Sequence, residues 1–162
     1  MKNFKNVLYA LCCLSYCIVI GGAVYEHLTV VPQWTAAPPM SLSMFQGDYG
    51  FNAEPFWANI HPISLLLFTI TLIVFWKTAR RIHILTSLLI YFSILVITSI
   101  YFVPELMEIV NTPFSTTIDA SLTERAKLWQ TLSIGRLIII MGAAVYLLLG
   151  MAKSELRPKK SN

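Results

Sequence analysis

The sequence predicts an all-α, polytopic membrane protein: four transmembrane helices in a bundle, with both termini cytoplasmic. Three observations predict it. Of the 162 residues, 56% are hydrophobic and 12% charged, and the mean hydropathy is +0.66; a soluble domain uses about 25% Asp, Glu, Lys and Arg to face water. Four apolar runs are each long enough to cross a hydrocarbon core about 30 Å thick. Nine of the twelve Lys and Arg lie in three short patches beside those runs: Lys2 and Lys5, then Lys77, Arg80 and Arg81, then Lys153, Arg157, Lys159 and Lys160. Set on one side of the bilayer, these patches orient an even number of crossings by the positive-inside rule. The lipid bilayer is therefore the expected partner and a bacterial inner (cell) membrane the expected location. Disorder, a collagen-like rod and a basic nucleic-acid-binding domain all need polar residues the chain lacks, so no nucleic acid is expected.

Residues 1–162 read as one domain, with helices at about 7–31, 57–76, 83–103 and 122–151. A Met-Lys-Asn-Phe-Lys start before an apolar stretch is also how a secretory signal begins. The apolar run is longer than a usual signal core, and its removal would leave three helices with an uneven charge pattern, so it is read as the first span. Cys12, Cys13 and Cys17 all lie in it, with no second group to pair with, and count as small apolar packing residues. The second helix ends at the Lys77 to Arg81 patch. The third stops at Pro104, where the missing N–H and the ring interrupt a helix. The fourth opens outside the bilayer on a capping box, Ser121-Leu-Thr-Glu124. Outer loops are expected at about 32–56, rich in aromatics, and about 104–121, where Glu105-Leu-Met-Glu108 forms a short amphipathic turn.

Several marked residues have plain structural readings. Gly21-Gly22-Ala23 offers a close-packing surface between helices. Tyr9, Tyr16, Tyr91 and Tyr146 read as packing, and His83, beside Arg80 and Arg81, as a headgroup contact. Trp57 and Trp129 read as interface anchors that could also wall a pocket. Val31-Pro32 to Trp57 and Val103-Pro104 to Trp129 share one spacing, at a shift of 72 residues. If this is a true repeat, two helical hairpins of the same orientation pack about a pseudo-axis along the membrane normal. His61 then maps onto Ser133, and Glu26 and His27 onto Thr98 and Ser99, so any site is asymmetric.

Ionisable side chains in a membrane are costly enough to count as functional candidates, and here Glu26, His27, His61, Glu105, Glu108 and Arg136 fall in one outer layer. Three readings follow. His27, His61, Glu105 and Glu108 offer imidazole and carboxylate donors for a non-haem divalent metal. With no cofactor, Glu26, His27 or His61 could take a proton from an acidic carbon while Arg136 stabilises the enolate, with Trp57, Trp129 and Glu105 contacting the substrate. In the third, Arg136 merely pairs with Glu26 or Glu105.

Gly21-Gly22-Ala-Val-Tyr25-Glu26-His27 leading to Val31-Pro32, Tyr101-Phe-Val-Pro104-Glu105, and Trp129-Gln-Thr-Leu-Ser-Ile-Gly-Arg136 together resemble the anthrone oxygenase-like family of small four-helix membrane proteins. The resemblance covers nearly the whole chain. It implies an oxygenase or related redox enzyme acting on a small aromatic, anthrone- or quinol-like substrate, with molecular oxygen as oxidant. The alternative is a non-catalytic membrane protein that binds a lipid, a quinone or a partner helix.

Overall fold

The computed structural model describes residues 2–153; Arg157, Lys159 and Lys160 of the third basic patch lie outside them. Among the described residues the chain is helical, without strands. Four continuous helical spans, Asn3–Trp34, Glu54–Phe75, Arg81–Val110 and Ala120–Met151, are long and apolar enough to cross a membrane. The protein is a multi-pass integral membrane protein built as a four-helix bundle.

The first span comprises α1 (Lys2–Tyr25), a π-helical turn (Glu26–Val30) and α2 (Val31–Trp34). A 3-10 segment, Met40–Phe45, leads to α3 (Glu54–Phe75). The third span repeats the first: α4 (Arg81–Ile97), a π-helical turn (Thr98–Phe102) and α5 (Val103–Val110), followed by α6 (Ala120–Met151). In the ring of helices α1 packs chiefly on α3 and α4 chiefly on α6, while α1 with α6 and α3 with α4 close it.

Pro32 and Pro104 are absorbed rather than obeyed as stops. A proline lacks an N–H and crowds the carbonyl four residues back. Here the helix widens by one residue just before it: Val31 N–H bonds to Glu26 O and Val103 N–H to Thr98 O, each an i to i−5 bond. The helix then resumes with proline in its first turn, where no N–H is needed. The expected stop at Pro104 is thus corrected, as is the limit of the first helix at 31; the outer connections shrink to 35–53 and 111–119. The two π turns stand at the same 72-residue shift as the Val-Pro and Trp pairs. The α1–α3 and α4–α6 hairpins thus share a Val-Pro pair, a Trp and a π turn at one spacing.

The start of α6 also differs from expectation. Asp119, not Ser121, is the N-cap, its carboxylate accepting from Leu122 N at 3.0 Å. The unpaired amides of a first turn take whichever side-chain oxygen reaches them, and the helix begins two residues earlier than the capping box suggests.

At the basic end Arg80 ties the bundle together. It is buried, donates to Asn6 Oδ1 and to the carbonyls of Met151 and Lys153, and lies over the rings of Tyr9 and Phe75. A guanidinium on the last carbonyls of α6 suits the negative end of that helix. His83, expected as a headgroup contact, is buried in the bundle, its ring stacked on Tyr146 at 4.5 Å. Gly150 makes room for it, since a Cβ there would meet the Tyr9 hydroxyl, itself bonded to Leu147 O, and the His83 side chain. Gly150→Ala is expected to destabilise the bundle by about 1–3 kcal/mol through overpacking, read as a lower Tm in detergent.

Candidate functional site

At the opposite end the helices part around a cavity of about 1030 Å³. Each half of the repeat brings different chemistry to it. The first supplies Glu26 and His27 from its π turn, and Trp57 and His61 from the first turns of α3. The second supplies Thr98 from its own π turn, and Trp129, Ser133 and Arg136 from α6. π turns recur at functional sites because the extra residue re-aims the side chains around it.

In the first half every ring is held. Trp57 Nε1 donates to Glu26 Oε1 at 2.8 Å, and the Trp57 indole stacks on His61 at 5.2 Å between centroids. Gly22 permits this packing, because a Cβ there would lie 2.6 Å from the Phe56 ring and 3.4 Å from that of Trp57. His61 Nδ1 shares a hydrogen bond with the Tyr91 hydroxyl at 2.7 Å. His27 Nδ1 donates to Ala23 O at 2.8 Å. A carbonyl can only accept, so a neutral His27 carries its proton on Nδ1 and its lone pair on Nε2. That Nε2 is buried without a hydrogen-bond partner, in a ring stacked parallel to Trp129.

The second half is built around one cation. Arg136 donates from one terminal nitrogen to Thr98 Oγ1 at 2.7 Å and from the other to Ser133 Oγ at 2.9 Å, and its guanidinium carbon sits 4.2 Å from the centre of the Phe102 ring. Trp129 Nε1 donates to Phe102 O and so fixes that ring's backbone from α6. Among the described residues no carboxylate makes an ion pair with Arg136; the ion pairs seen are those of Arg125. Glu26, His27 and His61 line the same cavity as Arg136. The expected pairing of Arg136 with Glu26 or Glu105 is not a direct ion pair among the described residues: the terminal nitrogens of Arg136 go to two neutral hydroxyls, Glu105 turns to Arg125, and Glu26 lines the same cavity as Arg136.

Of the residues expected from sequence, Glu26, His27, His61, Arg136, Trp57 and Trp129 come together around the cavity. Glu105 and Glu108 do not. They flank Arg125 at 2.8 and 2.7 Å and fasten α5 to the first turns of α6. They sit on the α5 face turned toward α6, with Ile109 buried beside them, while the cavity meets the other face. The metal set His27, His61, Glu105, Glu108 is therefore corrected: among the described residues no three His, Cys, Asp or Glu gather as a ligand group. Glu105 is likewise withdrawn as a substrate contact.

Three site residues were not singled out from sequence. Thr98 and Ser133, which hold Arg136, are the repeat mates of Glu26 and His61, so the 72-residue shift was the signal that could have found them. Tyr91, read as packing, lies in α4 two helical turns before Thr98 and lines the same cavity. Comparison of the chain with protein-family models, with curated proteins and with solved structures gives no match.

Proposed function

We propose that the chain is a membrane oxygenase or oxidoreductase acting on a small aromatic molecule with an acidic proton, of the anthrone or quinol kind. One observation carries this reading: Arg136 presents a positive charge, with no carboxylate bonded to it, in the same cavity as His61. A cation in lipid surroundings is costly unless an anion is brought to it. Two hydroxyl partners hold the guanidinium in place, and with no carboxylate hydrogen-bonded to it the remaining N–H groups are left for a ligand beside Glu26.

The chemistry follows from the two halves. His61 donates a hydrogen bond from Nδ1 to the Tyr91 oxygen and meets the substrate with its Nε2 lone pair. It takes the proton from an acidic CH2 between aromatic rings or from a quinol hydroxyl. Negative charge then grows on the substrate oxygen and is stabilised by Arg136, in a site where low polarity strengthens that interaction. Trp57 and Trp129 supply the apolar walls. With an anthrone, molecular oxygen is the co-substrate: the CH2 and one O2 become C=O and one H2O. The electron-rich enolate is the reductant, so the atoms and electrons balance without another donor.

The test is oxygen uptake by the purified protein in lipid nanodiscs, with the absorption of an added anthrone followed in parallel. The expected result is a red-shifted enolate band on binding and one O2 consumed per carbonyl formed. A correctly folded protein that neither shifts the band nor speeds oxygen uptake over empty nanodiscs overturns the reading.

A further inference from the structure

Independently of the cavity, we infer that the basic end binds an anionic phospholipid, with its phosphate between Lys5 and Lys77 and the first carbons of its chains on Ile73 and Val74. A groove of about 440 Å³ lies there, lined by Lys5 from α1 and by Ile73, Val74, Trp76, Lys77 and Thr78 from the end of α3 and the turn after it. Ile73 and Val74 stand four and three residues before Lys77, on its side of the helix and about one turn deeper in the membrane. The groove thus grades from apolar within the bilayer to cationic at its surface. Arg80 sets this geometry, because its bond to Asn6 Oδ1 ties the start of α1 to the α3–α4 turn.

What the groove lacks is an anion. Residues 2–25, 55–104 and 125–153, which build this end, contain no Asp or Glu. Lys5 and Lys77 make no hydrogen bond or ion pair among the described residues, where the ion pairs seen are those of Arg125 at the other end. Arg81 adds a third cation, 5.8 Å from the centre of the Trp76 ring. Lys5 also stands in the first turn of α1, which holds no acidic residue. The positive end of a helix disfavours a cation there and favours an anion beside it. Two lysines brought to one groove from different helices repel each other until negative charge comes between them. A phospholipid brings that charge joined to chains that Ile73 and Val74 can receive, and Trp76 suits headgroup depth. A soluble anion has no use for the apolar half. Basic pockets between membrane helices hold acidic headgroups on these terms.

Native mass spectrometry of delipidated protein in detergent micelles tests this with three probes: a phosphatidylglycerol, a phosphatidylcholine of the same chains, and inorganic phosphate. The expected result is one phosphatidylglycerol retained per chain, with neither other probe retained at the same concentration. Lys5→Gln with Lys77→Gln should weaken that binding about 30-fold, the effect of removing two lysines from an acidic headgroup. Neither lysine has a hydrogen bond to lose, so the wild-type Tm should be kept. Lys153→Gln removes the same charge from the same end but outside the groove, and should change the affinity by less than about twofold. A diazirine on the first chain carbons of the phosphatidylglycerol should label Ile73 or Val74. If Lys153→Gln weakens binding as much as Lys5→Gln does, the attraction is that of any basic face and the site is overturned. Equal retention of phosphatidylcholine overturns it as well, and saturation by inorganic phosphate would assign the groove to a soluble anion instead. No arm depends on turnover or on the cavity, so the result stands apart from the oxygenase reading.

Discussion

His61→Gln is expected to lower turnover of an acidic aromatic substrate by about 10²–10⁴-fold, the range a positioned general base contributes. Gln keeps a polar group of similar reach beside Tyr91 and Trp57, so the fold should survive. It has no lone pair basic enough to take the proton. The sharper readout is the bound ligand's spectrum. In the wild type the anion band appears, whereas in His61→Gln the ligand should bind in its neutral form, with its Kd altered far less than its turnover. Equal turnover in the two proteins would remove His61 from the mechanism. Tyr91→Phe separates positioning from proton transfer. It removes the hydroxyl on His61 Nδ1, and is expected to change the His61 tautomer seen in ring-nitrogen NMR while leaving the bundle folded.

The second large effect is expected at Arg136. Arg136→Lys should lower kcat by about 10²–10³-fold, the cost of losing a preorganised donor where negative charge develops. The charge survives this substitution but the geometry does not. A guanidinium reaches Thr98 and Ser133 with separate nitrogens on a rigid plane, leaving further N–H groups for a ligand; an ammonium is a single point on a flexible stem. Thr98→Val with Ser133→Ala tests the same idea from the other side. Together they release the guanidinium without removing it, and an activity loss approaching that of Arg136→Lys would show that orientation, rather than charge, carries the effect. If Arg136→Lys retains full turnover, the fork geometry has no role.

Much of the layout was legible before any helix was placed in space. Run lengths and the clustered Lys and Arg located four spans and brought the basic segments to one end, where Arg80 now links the α3–α4 turn to Asn6 and to the end of α6. The Val-Pro and Trp spacings pointed to a repeat, and the paired π turns stand at the same 72-residue shift. Counting residues from Trp57 and Trp129 put His61 and Arg136 at one depth. The same counting misled at Pro104, because it treats a missing N–H as an end, whereas a one-residue widening of the helix supplies another bonding pattern.

Hydropathy and charge act residue by residue along the chain, so the sequence by itself determined the number of spans and the basic end. The direction in which a side chain points around its helix depends on neighbouring helices and on the extra residue each π turn inserts, so only the tertiary structure decided which groups meet. Glu105 and Arg136 were both assigned to the outer layer, yet one turns to Arg125 between α5 and α6 and the other into the cavity. Thr98, Ser133 and Tyr91 carry no charge that would mark them in a sequence. They matter because packing sets them against the guanidinium and the imidazole, where a buried polar group must find a partner.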